Sequence, residues 1–245
     1  MNGDFERAKA TARERMTTRE SIGRLNEKEL HATLKFFFDP DETHHEVKLA
    51  AGPVADIFDG KTVTEIQTGN FSGFRPKLIR LLEDYPVTVV LPLPFHKTVC
   101  WVDPQTGERS APRKSPKVGA FWDAAPELIF IKEQLFHPGL TVRLMLLDME
   151  ETRLLDGWGN GGRRGAHRLE RVPVALGDTV EITKPEHLRV LLPDDLPRPF
   201  TSLQYGKRTR MTGRRLTAAL KLLQHAGVIT RCGQDGRRYL YTDNK

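Results

Sequence analysis

The residues best suited to chemistry in this sequence are two carboxylates and an amide, Asp56, Glu65 and Gln67, within a short apolar segment at 54–68. It is energetically unfavourable for two acidic side chains to be ionised when they lie close together on core strands. A hard divalent cation with oxygen ligands removes that penalty. The sequence therefore predicts a Mg²⁺ or Mn²⁺ site held by Asp56 and Glu65, with Gln67 orienting a water molecule.

A β-hairpin has to position these three side chains. The Asp-Gly dipeptide at 59–60 is typical of a tight hairpin turn, and the residues on either side are largely β-branched or aromatic. A turn that pairs Phe58 with Lys61 places Asp56 opposite Val63. Side chains two positions apart share a face of the sheet, so the glutamate and the amide further along the second strand converge on Asp56.

Helices and strands alternate around this hairpin, which predicts an α/β fold. Apolar periodicity, N-cap signals and Pro or Gly boundaries predict the following elements in chain order: a helix at 27–38, a strand at 46–49, a helix at 72–84, strands at 87–93 and 97–102, a helix at 125–136 and a long strand or hairpin at 140–155. The first helix begins after Asn26, with Glu29 at the third helical position as in a capping box and with Leu25 and Leu30 as a hydrophobic staple.

Glu29 has two interpretations of equal weight, as a third metal ligand and as the glutamate of the capping box. An amide at position 67 carries no positive charge, so a cation at this site has to come from another residue. Lys35, Lys48 and Lys77 are the lysines that could supply it, with Arg75 as a further candidate. Lys77 is included among the catalytic residues.

The positive charge of the protein lies mainly near its C-terminus. The formal net charge is +6. Between Arg198 and Arg238 there are ten Lys or Arg residues and one acid, Asp235, a local excess of +9. This is the charge distribution of a module that binds a polyanion, and a solvated basic surface is the alternative.

The same segment carries helix, turn, helix and hairpin signals, which predict a winged helix-turn-helix. A helix capped by Thr212 ends at Gly227, and two strands flank the Gly-rich turn at 233–236. A winged helix that packs against another protein is the alternative. The predicted nucleic-acid contacts are Lys207, Arg208, Arg210, Arg214, Arg215, Lys221, Arg237 and Arg238.

Four regions follow from these patterns. They are a flexible N-terminal arm or loosely docked helix at 1–20, an α/β domain at 21–155, a Gly-rich connecting region at 156–183 and a winged helix-turn-helix domain at 184–245. No segment has the length and apolar character of a signal peptide or a membrane span.

Cys100 and Cys232 match no metal or redox spacing, which suits a reducing cytoplasm. Adjacent His44 and His45 lack a third spaced ligand for zinc.

With these elements placed, the segment 25–95 resembles the core of the PD-(D/E)xK nuclease superfamily, in the variant where Gln replaces the usual Lys. The resemblance is carried by a helical acid at Glu29, by Asp56, and by Glu65-Ile-Gln67 followed by a helix and a strand. It especially resembles the CoiA-like nucleases. The chain from Ile22 through Glu-Ile-Gln-Thr-Gly-Asn-Phe-Ser to Pro-Phe-Thr also resembles a bacterial family with no assigned function. The nuclease resemblance implies a restriction-endonuclease-like fold and a magnesium ion held by Asp56, Glu65 and Glu29.

The leading functional prediction is a metal-dependent endonuclease that acts on DNA and is targeted by its winged helix. Two alternatives remain open. One is a DNA-binding regulator whose nuclease fold has lost turnover, and the other is a defence or toxin-like protein that cleaves RNA. DNA is the predicted partner, no membrane is involved, and a homodimer remains open.

Overall fold

A computed structural model describes residues 2–20, 29–50, 52–158 and 164–244 of the 245-residue chain. The fold is mixed α/β, as the sequence predicted. Internal contacts divide it into two compact units. Unit 1 comprises Met1–Val47, Pro94–Gly119 and Leu146–Asp178, and unit 2 comprises Lys48–Leu93, Ala120–Met145 and Thr179–Lys245. The domain boundaries predicted near residues 20, 155 and 183 concern which segments fold separately, and they remain a prediction.

The α-helices of the described residues are numbered in chain order: α1 (Asn2–Glu20), α2 (Glu29–Phe38), α3 (Phe71–Asp84), α4 (Ala125–Leu128), α5 (Ser202–Thr209) and α6 (Gly213–His225). The strands are β1 (His45–Lys48), β2 (Val54–Phe58), β3 (Val63–Ile66), β4 (Val87–Val102), β5 (Arg113–Lys114), β6 (Leu140–Trp158), β7 (Arg164–Ile182), β8 (Phe200–Thr201), β9 (Ile229–Asp235) and β10 (Arg238–Asp243). Short 3₁₀ helices occupy Glu42–His44, Phe121–Ala124, Ile129–Ile131 and Pro185–Leu191.

The larger sheet has the strand order β1-β2-β3-β4-β6-β7, and β5 pairs with β4. Strands β2 and β3 are antiparallel, whereas β3 and β4 are parallel. A parallel pair requires a crossover connection, and α3 provides it. The smaller sheet, β8-β10-β9, is antiparallel throughout.

Residues 2–20, for which the sequence left a flexible arm or a loosely docked helix open, form helix α1 in the structure. Helix α1 buries Phe5, Ala8 and Ala12, and these alanines pack with Ala32 and Phe36 of α2. Because small residues at positions three and four apart form a narrow stripe between charged neighbours, periodicity alone did not identify this face. The predicted cap at Asn26 and staple at Leu25 lie outside the described residues.

The region predicted to connect the two domains is mostly a strand. Strand β6 extends to Trp158, and β7 covers Arg164–Ile182. Of the Gly-rich loop, residues 159–163 lie outside the described part, and its remaining residues belong to these two strands. The predicted helix at 125–136 is also shorter, because only Ala125–Leu128 is α-helical and Ile129–Ile131 is a 3₁₀ turn. The strands predicted at 87–93 and 97–102 are one strand, β4.

Candidate functional site

The register of the hairpin formed by β2 and β3 differs from the predicted one. Phe58 is opposite Val63 rather than opposite Lys61. The Asp59 carboxylate accepts hydrogen bonds from the backbone N–H groups of Lys61 and Thr62, at 2.8 and 2.7 Å. This side chain closes a four-residue loop in place of the expected two-residue turn, and every cross-strand pair moves by two positions.

The observed register brings the two acids closer than the predicted one. Its continuation places Asp56 directly opposite Glu65. The Asp56 Oδ2 atom accepts a hydrogen bond of 2.7 Å from the backbone N–H of Ile66, and Glu65 Oε1 lies 3.3 Å from the backbone nitrogen of Asp56. Glu65 is fully buried, whereas Asp56 is partly exposed. The two carboxylates therefore form a compact site at one point of the hairpin.

Helix α3 adds a lysine to this site. The helix begins after Asn70, whose side chain accepts a hydrogen bond from the Gly73 N–H, and it buries Phe74 and Leu78 against the core. Lys77 lies beside that buried stripe, and its Nζ donates to Glu65 Oε2 at 2.6 Å. The Lys77 side chain keeps 29% exposure while that of Glu65 has none. The ammonium group thus lies between a buried carboxylate and solvent.

The electrostatics of the site follow from burial. Removal from water and repulsion by Asp56 raise the pKa of Glu65 from its ordinary value of 4.5 to about 7, although the charge and hydrogen bond of Lys77 lower it. One lysine therefore does not fully offset the cost of an ionised Glu65 beside Asp56. Additional positive charge at these oxygens would favour the ionised form.

This set of oxygen donors fits Mg²⁺ or Mn²⁺. Mg²⁺ is usually bound through one or two carboxylates and keeps several waters, so Asp56 and Glu65 are sufficient protein ligands. Among the described residues, no group of three or more His, Cys, Asp or Glu side chains is arranged for a metal ion. Asp56 and Glu65 are the two carboxylates that meet at this point of the hairpin.

The other predicted site residues have separate surroundings. The Gln67 backbone N–H donates to Val90 O at 2.8 Å, and its side chain is half-buried. Glu29 belongs to unit 1, where its carboxylate is 2.5 Å from Arg13 Nε, and its role as a ligand stays a prediction. Lys35 is buried and pairs with Glu46 at 3.0 Å. Lys48 is exposed. Of the proposed cations, Lys77 is the one that contacts Glu65.

The C-terminal part of unit 2 contains two helices in close succession. In a capping box at the start of α5, Thr201 accepts from the Gln204 backbone N–H and the Gln204 side chain accepts from that of Thr201. Within α5, a Cβ atom added to Gly206 would lie 2.8 Å from the carbonyl oxygen of Met211, which precedes α6. Glycine is therefore required at 206 for the tight turn that joins α5 to α6.

The eight basic residues predicted to bind nucleic acid are all exposed. Among their contacts with acids of unit 2, Arg208 lies 2.6 Å from Asp195 and Arg215 lies 3.2 Å from Asp123. Arg214 and Lys221 lie seven positions apart on the exposed face of α6. Opposite this face, α6 buries Ala219, Leu220, Leu222 and Leu223.

Helix α6 also faces the segment after α4. A cleft of about 570 Å³ is lined by Ile129, Lys132, Lys221, Gln224 and His225. Sequence patterns do not indicate this neighbour, because it depends on packing between elements about 90 residues apart. No helix in the described part of the chain is long and apolar enough to cross a membrane.

Comparisons with known proteins identify a family without a known activity. A family model described as "Domain of unknown function (DUF8091)" matches residues 28–183. The chain is 27% identical over 223 residues to an "Uncharacterized protein" of Treponema pallidum (strain Nichols), an alignment that covers 90% of this chain and 87% of the relative. No solved structure matches.

Proposed function

This chain belongs to the DUF8091 family, and we propose that it is a metal-dependent endonuclease that hydrolyses phosphodiester bonds of DNA. The observation that carries the proposal is the group formed by Asp56, Glu65 and Lys77, in which two carboxylates on paired strands meet an ammonium from the following helix. Two acids that can hold a metal ion and a cation beside them are side chains suited to metal-assisted phosphodiester cleavage.

Each side chain has a separate role in this proposal. Asp56 and Glu65 would hold Mg²⁺ or Mn²⁺, which when bound polarises a phosphate oxygen and lowers the pKa of a water molecule. Lys77 lowers the pKa of Glu65, which favours its ionised form, and supplies the positive charge that the Gln67 amide lacks. The Gln67 side chain, two residues after Glu65 and on the same face, orients the attacking water through its amide.

The order of elements supports a nuclease core of the PD-(D/E)xK type. An antiparallel hairpin β2–β3 leads through α3 to the parallel strand β4, and both carboxylates lie on the hairpin. In the superfamily it resembles, a lysine usually occupies the position of Gln67. The contact between Lys77 and Glu65 supports the interpretation that the cation has moved to α3.

The C-terminal segment supports a winged helix that binds DNA. Strand β8, helices α5 and α6 and the hairpin β9–β10 follow one another in the order expected of that motif, with α6 as the recognition helix. Arg214 and Lys221 lie on its exposed face, and Arg237 and Arg238 lie in the hairpin turn and at the start of β10. These side chains would bind phosphates and carry most of the salt-dependent affinity.

One observation favours a second candidate, a DNA-binding regulator without turnover. The ammonium of Lys77 already contacts Glu65 Oε2 at 2.6 Å, so the charge of this carboxylate is partly compensated by the protein itself. A fold that keeps its acids in an ion pair needs no metal to be stable. The regulator would bind DNA equally well in EDTA and would not cleave it.

A cleavage assay decides between the two. Plasmid DNA, linear duplex, single-stranded DNA and RNA are each incubated with the protein in Mg²⁺, in Mn²⁺ and in EDTA. We expect the wild type to cut DNA in either metal and to be inactive in EDTA. Cleavage of RNA alone would identify a ribonuclease instead.

Asp56→Asn is the informative variant for this assay, because it removes one charge from the site with little change in volume. Asp84→Asn is its matched control, since Asp84 is an exposed acid at the end of α3. Asp56→Asn should abolish cleavage and Asp84→Asn should retain it. Equal cleavage by the wild type and Asp56→Asn would rule out this site, and binding without cleavage under every condition would favour the regulator.

A further inference from the structure

Unit 1 contains a second cluster of charged side chains, which the sequence analysis did not identify. Glu151 on β6 is 1% exposed at its side chain and is surrounded by Lys97 of β4, Arg153 of β6 and Arg171 of β7. The three cations come from three neighbouring strands of the sheet. Glu151 and Arg153 are close in sequence, but Lys97 and Arg171 are distant from them along the chain. The cluster therefore forms only when the sheet folds.

The central carboxylate holds the cations in place. Arg153 Nε and Nη2 lie 2.6 and 2.5 Å from Glu151 Oε1, and Arg171 Nε lies 3.1 Å from Oε2. Lys97 Nζ is more distant, at 3.4 and 3.5 Å from the two oxygens. Although burial alone would raise it, the bonds from Arg153 and the charges of Lys97 and Arg171 lower the pKa of Glu151 to about 2. Glu151 is therefore ionised at neutral pH.

One carboxylate does not balance three cations. The cluster keeps a net charge of +2, and its cations are partly desolvated, with side-chain exposures of 20% for Lys97, 36% for Arg153 and 18% for Arg171. Burial lowers the pKa of Lys97, and the neighbouring arginines lower it further, whereas Glu151 raises it. A doubly charged anion would balance this excess charge.

Some N–H donors of the two arginines make no hydrogen bond to Glu151. Glu151 occupies Nε and Nη2 of Arg153 and Nε of Arg171, which leaves Nη1 of Arg153 and both Nη atoms of Arg171. Among the residues that the structure describes, no other acceptor contacts these atoms or Lys97 Nζ. Fixed guanidinium groups with free N–H donors match the oxygens of a phosphate.

From this arrangement we infer that Lys97, Arg153 and Arg171, oriented by Glu151, form a binding site for a phosphate group. Arginine gives the site its directional donors, and lysine adds a point charge. The phosphate belongs either to a nucleic-acid backbone or to a free phosphate or nucleotide, and both share the chemistry that the cluster recognises. The inference does not depend on nuclease activity, because binding is measured without turnover.

Lys97→Gln tests the site with little risk to the fold. The two arginines make the short bonds to Glu151, so the carboxylate stays paired when the more distant lysine is removed. Arg171→Lys is a second variant, which keeps the charge and removes the planar fork. The matched control is Arg143→Gln, which removes one charge from the pair of Arg143 with Glu181 in unit 2. Thermal unfolding without ligand establishes that the variants are folded.

Calorimetry with inorganic phosphate and fluorescence anisotropy with a short DNA duplex, both in EDTA, are the two measurements. We expect Lys97→Gln to weaken binding by about 10-fold, as the loss of one charge-assisted hydrogen bond implies, and Arg143→Gln to leave it unchanged. Loss of affinity for phosphate alone identifies a free phosphate or nucleotide as the ligand. Loss of affinity for the duplex, with or without loss for phosphate, identifies the nucleic-acid backbone. Unchanged affinity for both probes in folded Lys97→Gln and Arg171→Lys would overturn the inference.

Discussion

Replacing Lys77 with Met removes the ammonium group that contacts the buried Glu65 carboxylate, and it should destabilise the fold only where Glu65 is ionised. In the wild type the pKa of Glu65 is raised from 4.5 to about 7. Stability from this group is therefore fully present below about pH 4.5 and is lost as the pH rises through 7. At about 1.4 kcal/mol per pH unit, the loss amounts to about 3 kcal/mol of unfolding free energy.

Without Lys77, the pKa of Glu65 moves above 7, because burial and Asp56 then act without the opposing charge. At pH 8, one unit above the wild-type pKa, Lys77→Met should lower the unfolding free energy by about 1.4 kcal/mol, because Glu65 of the variant stays protonated and forgoes the ionised pair. At pH 5, Glu65 is protonated in both proteins, and this electrostatic difference should be absent.

Urea unfolding between pH 5 and pH 8 measures this difference. Lys61→Met is the matched control, because Lys61 is exposed in the loop of the same hairpin. Adding Glu65→Gln to Lys77→Met should abolish the pH dependence of the Lys77 effect. If Lys77→Met costs the same at pH 5 and at pH 8, the ammonium does not stabilise an ionised Glu65, and the electrostatic account of the site is wrong.

Three further outcomes follow from the site and the basic segment. Mg²⁺ or Mn²⁺ at 100 times its dissociation constant should raise the unfolding free energy by about 3 kcal/mol, and calorimetry should show no such binding for Asp56→Asn or Glu65→Gln. Gln67→Lys should retain or raise DNA cleavage, whereas Gln67→Ala should lower it by a few orders of magnitude at most in a single-turnover assay; an inactive but folded Lys variant would mean that Lys77 already fills the space. Arg214→Ala or Lys221→Ala should reduce the slope of log affinity against log salt by about 1, measured by filter binding, and Arg215→Ala should reduce it less because Arg215 pairs with Asp123; equal slopes for all three and the wild type would mean that α6 does not bind DNA.

Local chemistry made much of the fold predictable. Apolar spacing identified the helix at 71–84 to within one residue, the strand at 87–93 and the hairpin that carries the acids. The candidate site was predictable for a related reason. Two acids among β-branched residues have few structural explanations, so Asp56 and Glu65 were identified from residue type and spacing alone. The charge count placed the basic segment at the C-terminus.

Tertiary contacts decided the remainder. The hairpin register depends on the Asp59 carboxylate closing a wider loop, and Asp-Gly alone favours the tighter turn. The sequence offered three lysines as the possible cation of the site. The packing of α3 on the sheet decides that Lys77 is the one that contacts Glu65. The cluster around Glu151 joins residues from three strands, and Lys97 and Glu151 lie more than 50 residues apart in the chain. Sequence periodicity reports which face of an element is buried, but the partners of a charged side chain depend on which strands become neighbours.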